Sequence, residues 1–326
     1  MTRAILGYVI VALSASLLLD ASVCAQPYPS KPIRLVIPYP PGSTADMTGR
    51  LFANKMSETL GQPIVTDNRV GAGGVIGASM VAKASADGYT LLYTTPSTHV
   101  MAIFLSREPL PYDPLKDFTP IGTAITSYQS LAVSMPGPVS SIQELVQYAK
   151  RNPGKLTYGS AGIGTVFHLA GEAFASAAGV ELTHVPYKSA VQNLPDVATG
   201  LLSMTFSTVQ SQLPFYRAGK VRIIGVLNPG RYSGLPEVPA VAEIIPAFER
   251  PIDYLGFMGP AGLPRPIVQR WSAEVKAALG AADIMRALDE AGQTPMFTTS
   301  EEFLALIKSG QASTEKMVKA AGIKPQ

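Results

Sequence analysis

Two short stretches carry the residue types that could do chemistry. In "VIPYPPGSTAD" (36–46) an apolar run breaks into prolines and a glycine. Ser43, Thr44 and Ala45 then lead to Asp46 just where a helical pattern begins. In "YGSAGIGTVFH" (158–168), Ser160 and Ala161 come before Gly164 and Thr165 at the start of a second helical pattern, with His168 in its first turn. A helix start leaves about four backbone N–H groups without an internal partner. The aligned peptide dipoles add roughly half a positive charge there. Small residues let an anion come close and hydroxyls add donors, so a carboxylate or a phosphate fits. Taken singly, Thr44 and Thr165 read as ordinary N-caps. The device recurs more than a hundred residues on, each time after a strand, and that favours a ligand.

Other chemistries fit less well. "GAGGVIG" (71–77) has the look of a dinucleotide loop, but "DNRV" separates it from the strand and Asp87 comes too early for the ribose-binding acid. Tight turns and helix packing account for its glycines. "YGSAG" is not the G-x-S-x-G elbow of a hydrolase. His168 and Glu172 share a helix face at i, i+4, yet no third metal ligand is evident. His184 sits in an alternating strand and reads as structural. No catalytic residue, metal or cofactor is assigned.

These turns need elements to hold them. "IRLVI" (33–37), "PIVTD" (63–67) and "YTLLYT" (89–94) read as strands. Between them lie a helix from about Thr44, stopped by Gly61, and a Gly-rich helix start. This βαβ order predicts a parallel sheet with helices on both faces. After the Pro-rich "REPLPYDPLKDFTP" (107–120) the pattern begins again. "SLAVSM" is a strand, and "SIQE" (141–144) is a capping box. The helix from about Thr165 buries Val166, Leu169, Ala173 and Phe174 and ends at Gly179. Strands follow at "LTHVPY", "SMTF", "RIIGVL" and near "DYLGFMG", with helices from Pro266 and from Thr299, where "TSEE" is a second capping box. Two α/β lobes, each offering a helix N-terminus at the carboxyl ends of its strands, make a cleft between them.

The 326 residues allow such a pair of lobes with a real core. A net charge of +3, with Lys and Arg scattered, argues against nucleic acid as a partner. Residues 1–25 read as a secretory signal: Arg3, then "AILGYVIVALSASLLL", then "VCA" before Gln26, with cleavage after Ala25. As a membrane anchor the run is short and lacks a stop-transfer charge. A lipid on Cys24 would need a small residue where Val23 stands. Cys24 is the only cysteine, so the mature chain has no thiol chemistry.

The blocks "YPSKPIRLVIPYPPGSTAD", "NRVGAGGVIGA", "ADGYTLL", "LPYDPLKDFTPI", "NPGKLTYGSAGIGTVFHLAGE", "HVPYKS", "LPEVPAVAE" and "AAGIKPQ" resemble, in order, the Bug (TctC-type) extracytoplasmic solute-binding proteins of tripartite tricarboxylate transporters. The resemblance covers essentially the whole mature chain. It implies a two-lobed, type II-like periplasmic binding protein fold, with the lobes joined by crossover segments near residues 122–130 and 226–256. Lobe 1 is expected over 26–125 and 228–326, and lobe 2 over 126–227. The resemblance places ligand contacts at Tyr39, Ser43, Thr44, Ala45 and Asp46; at Ser97, Thr98 and His99; at Ser160, Ala161, Gly164, Thr165 and His168; and at Ser207 and Thr208. The family commonly has glycine at positions 43 and 189 and often an acid at 207, where this chain has serine. Without that acid an amino-acid ligand is less expected than a mono- or dicarboxylic acid, aromatic acids included. The implied function is a periplasmic receptor, expected to be monomeric, that closes on such an acid and delivers it to membrane permease subunits. The alternative is a binding protein serving a sensor system or, further off, a secreted enzyme.

Overall fold

The run IRLVI becomes β1 (Ile33–Ile37), four of whose five residues are buried, as a central strand of a covered sheet must be. The computed structural model describes residues 28–163, 165–189, 191–320 and 323. The signal-like segment 1–25, with Cys24, and the candidate Gly164 lie outside the described residues. Residues 31–326 form one compact unit.

β1 pairs in parallel with β2 (Ile64–Asn68) and β3 (Thr90–Thr94), with Leu35 opposite both Thr66 and Leu91. The predicted βαβ order is therefore present. Beyond β3 the sheet turns antiparallel. It continues through β10 (Leu255–Pro260), β4 (Phe118–Ser127) and β11 (Gln293–Pro295), in the order β11-β4-β10-β3-β1-β2. β4 has no counterpart among the expected strands: "FTPIGTAITS" carries two glycine or proline residues and little apolar alternation, and its burial comes from β10 and the helices around it.

The second sheet has the order β7-β6-β8-β5-β9. Its strands are β5 (Gln129–Ser134), β6 (Thr157–Ser160), β7 (Thr183–Pro186), β8 (Met204–Thr208) and β9 (Val221–Val226). β6 is parallel to β7 and β8, whereas β5 is antiparallel to β8 and β9. Both sheets are thus mixed, because the chain crosses from one to the other and returns.

The first crossing is the single residue Tyr128, between β4 and β5. The chain passes back toward the first sheet between Leu227 and Tyr254. Leu235 and Val238 sit in one cluster of the second sheet, Val241, Ile245 and Phe248 in another, and Val226 bridges Ala240. Tyr254 is the first buried side chain to rejoin the core of the first sheet. Apolar burial fixes this segment; its Pro/Gly-rich sequence carries no signal of which lobe it joins.

The helices that meet the cleft begin and end as their sequences indicate. Thr44–Leu60 ends on Gly61 in the left-handed conformation, φ +67°, and Val166–Ala178 ends on Gly179 at φ +62°. On the first sheet Tyr93 and Phe257 meet at 4.7 Å between ring centroids, and Phe52 stands edge-on to Phe257 at 6.0 Å. On the second, Tyr158 meets Phe206 edge-on at 5.5 Å. Each such buried ring contributes on the order of 2 kcal/mol and anchors the strand whose end carries a turn. No described helix is long and apolar enough to cross a membrane.

Candidate functional site

At the end of β1 the chain turns at Gly42, φ +78°, into the Thr44–Leu60 helix. Ser43 is the N-cap: its Oγ accepts the Asp46 N–H at 3.3 Å. Asp46 answers from inside the first turn. Its Oδ2 accepts the Gly42 N–H at 2.9 Å, and its Oδ1 accepts from Arg50 Nε at 2.8 Å and Asn68 Nδ2 at 2.9 Å. Burial pushes the Asp46 carboxyl up, but Arg50, the Gly42 amide and Asn68 together hold it below the ordinary range. This reciprocal arrangement is a variant of the capping box, and it ties both oxygens of Asp46 to the protein. The N–H groups of Thr44 and Ala45 have no hydrogen-bond partner among the described residues. Tyr39 closes one side, with its Oη 2.5 Å from Thr95 Oγ1 and its carbonyl accepting from Asn68.

The second turn follows β6. Thr165 caps the Val166–Ala178 helix by accepting the His168 N–H at 3.4 Å, and its hydroxyl donates to the Gly162 carbonyl at 2.7 Å. Val166 and Phe167 N–H have no partner among the described residues. Ser160 is fully buried: its Oγ accepts the Gly162 N–H at 3.0 Å and lies 2.7 Å from His184 Nε2. His184 is stacked between Tyr158, at 4.8 Å, and His168, at 4.1 Å. Burial pulls the His168 imidazole down to about 4, and burial with the neighbouring His168 pulls His184 to about 3, so both are neutral.

A third helix start, Thr208 before Val209–Arg217, comes from β8. Here the Val209 N–H is taken by the Tyr128 carbonyl at 2.9 Å, the Thr208 hydroxyl donates to Ser211 Oγ at 3.1 Å, and Ser211 Oγ donates to the Thr208 carbonyl at 2.8 Å. Ser207 is buried and held by Gln212 Nε2 at 2.8 Å. The candidates Ser97, Thr98 and His99 lie in a wide helical turn over Ser97–Met101. Thr98 Oγ1 lies 2.7 Å from His99 Nδ1, and burial takes His99 down to about 3.

One cavity of 490 Å³ lies where these turns meet. Among the predicted residues, Tyr39, Ser43, Thr44, Ala45, Ser97, Ala161, Thr165 and Thr208 line it. Asp46, Thr98, His99, Ser160, His168 and Ser207 do not; they stand behind the wall and hold its shape. The wall also includes the 70–74 loop, Ser127, Val166, Phe167, residues 187–189 and Asp253. By sequence the glycine run reads as packing alone, and Asp253 sits in an apolar stretch with no motif around it. Gly74 has φ +102°, and a Cβ there would stand 2.7 Å from Thr98 Cγ2 and 3.3 Å from Tyr39 Oη. Only glycine lets this loop close the wall. Among the described residues Lys188, exposed, and Asp253, buried, are the only charged ones in the lining. The wall is largely apolar with a few convergent donors, the usual character of a small-molecule site. No cluster of three metal-ligating side chains occurs among the described residues.

Comparison with known proteins gives a consistent result. A protein of Pseudomonas sp. (strain P51), the UPF0065 protein of the tcbD-tcbE intergenic region, is 39% identical over 293 residues, 89% of this chain and 86% of its own length. The R. palustris protein Rpa4515, solved with adipate, superposes with a TM-score of 0.86 at 35% identity, covering 92% of this chain and all of that one. MatC of Rhodopseudomonas palustris, solved with bound malate, gives 0.81 at 28% identity, over 89% of this chain and all of its own. Residues 48–323 match the model of the tripartite tricarboxylate transporter family receptor, and the chain belongs to that family, as its resemblance to the Bug (TctC-type) proteins implied.

Proposed function

We propose that the protein is a periplasmic receptor that binds a small organic carboxylate between its two lobes and delivers it to membrane permease subunits. The observation that carries this reading is the pair of helix starts facing one cavity from different sheets. Thr44 and Ala45 on one side, and Val166 and Phe167 on the other, bring backbone N–H groups without a partner among the described residues. An anion there gains neutral donors and two helix dipoles without a buried cation. Adipate in Rpa4515 and malate in MatC support a carboxylate as that anion. The lobes are taken as the two sheets with their helices, crossing at Tyr128 and again near residue 250. Ligand contact with both lobes stabilises the closed arrangement only.

A thermal-shift screen over mono-, di- and aromatic carboxylic acids, followed by calorimetry on the hits, tests the reading. At least one acid should raise the melting temperature, and the rise should grow with the logarithm of its concentration once that exceeds Kd. If no acid binds while the protein is folded, the carboxylate assignment is wrong.

A further inference from the structure

Asp253 stands at the entrance to β10 and is only 7% exposed, yet it lines the cavity. It is the only acid in the lining among the described residues. Both of its side-chain hydrogen bonds fall on one oxygen: Oδ2 accepts the Ser127 N–H at 2.8 Å and the Thr126 hydroxyl at 3.2 Å. Among the described residues no donor reaches Oδ1 and no ion pair forms. Arg250, the nearest cation, donates instead to the Ser127 carbonyl at 3.4 Å. Oδ1 is not sealed among protein atoms but borders the cavity, so its donor is water or a ligand group that displaces that water. Position 207 does not supply an acid, since Ser207 is buried and bound to Gln212. The acidic group of this site therefore comes from a different element.

We propose that Asp253 is a specificity-determining residue whose Oδ1 accepts a hydrogen bond from a hydroxyl or ammonium group that the bound acid carries beside its carboxylate. The proposal rests on the carboxylate reading above. The ligand's carboxylate lies at the two helix starts and its donor reaches the base of β10. Burial raises the Asp253 carboxyl above its ordinary value despite the opposing pull of Arg250, of the Ser127 amide and of the Thr126 hydroxyl. An ionised second carboxylate placed there would meet a like charge, so a donor-bearing acid is preferred over a plain diacid.

The test uses two matched sets of probes: hexanoate, 6-hydroxyhexanoate, 6-aminohexanoate and adipate; and succinate, malate and aspartate. Calorimetry on the wild-type protein should find, in at least one set, a donor-bearing member that binds about tenfold or more tightly than its donor-free parent, as one charge-assisted hydrogen bond implies. Asp253→Asn should remove that preference. Its amide oxygen can still accept from Ser127, which turns the NH2 group toward the cavity and favours the diacid. Equal binding of parents and donor-bearing members by the wild type overturns the proposal, as does a preference that survives in Asp253→Asn. Should that variant fail to fold, the wild-type ratios decide alone. If no probe of either set binds, this inference falls while the carboxylate reading is decided by the wider screen; binding without discrimination defeats only the role of Asp253.

Discussion

Ser160 Oγ lies 2.7 Å from His184 Nε2, and this contact closes the serine off from the cavity whose second turn it begins. The hydroxyl that looks best placed to hold a ligand holds the turn instead. Thr165, five residues on, has the access that Ser160 lacks.

Replacing the two should therefore have opposite signatures. Ser160→Ala leaves the His184 nitrogen and the Gly162 amide without their partner and should cost about 1–3 kcal/mol of stability, with affinity changed by about threefold or less. Thr165→Ala removes a cap at the cavity wall and its bond to the Gly162 carbonyl, so the turn that faces the ligand loosens; binding should weaken by about three- to thirtyfold with a smaller loss of stability, about 1 kcal/mol. Denaturant melts and calorimetry on the same two proteins separate these outcomes. If Ser160→Ala abolished binding at unchanged stability, Ser160 would be a direct ligand contact.

Histidine burial makes stability depend on pH. His168 at about 4, and His184 and His99 at about 3, lie below the unfolded value near 6.5. Between those values the unfolded chain takes up protons that the folded chain refuses. The stabilisation is complete above about pH 6.5 and is lost as pH falls toward 4 and 3. Asp253, with its raised carboxyl, acts in the opposite direction, but it is one group against three. Denaturation midpoints at pH 7, 6 and 5 should decline in that order, and His184→Gln should flatten the decline. A midpoint constant over this range would contradict the assignment of neutral, buried imidazoles.

Asp46 gives a third case. Both oxygens are committed to Gly42, Arg50 and Asn68, and neither lies at the cavity wall. Asp46→Asn should lower stability by about 1–2 kcal/mol through the weakened Arg50 and Gly42 bonds, and affinity by about tenfold or less. Calorimetry that found a far larger loss of affinity in a fully folded variant would place the carboxylate in contact with ligand.

Gly74→Ala probes the glycine loop. At φ +102°, with Thr98 Cγ2 2.7 Å from the added carbon, alanine is strained and crowded, so a loss of more than about 1 kcal/mol is expected. The displaced loop also reshapes the wall near Tyr39 and should weaken binding of any acid found in the screen. Melting and affinity measured together check both effects.

Most of the local structure around the cleft is legible in the residues themselves. Thr165 and Thr299 are caps and Gly61 and Gly179 are left-handed stops, because capping depends on residues within one turn of each other; the cap of the first helix is Ser43, one residue before the expected Thr44. The parallel β1, β2 and β3 likewise follow from short apolar runs between helical patterns. Other features arise only in the assembled molecule. β4 is a strand because β10 pairs along it, and residues 235–248 join the second sheet through the apolar partners they find there. The division of the candidate site is also tertiary: Ser160 and Asp46 are turned to the protein, while Thr165 and Thr44 reach the cavity. Which hydroxyl meets His184 depends on β7 lying beside β6. Asp253 enters the wall because the return crossing places it against Ser127, 126 residues earlier in the chain. Hydrogen bonds over such separations form only when two sheets and their crossings are assembled, and no local pattern of residues encodes them.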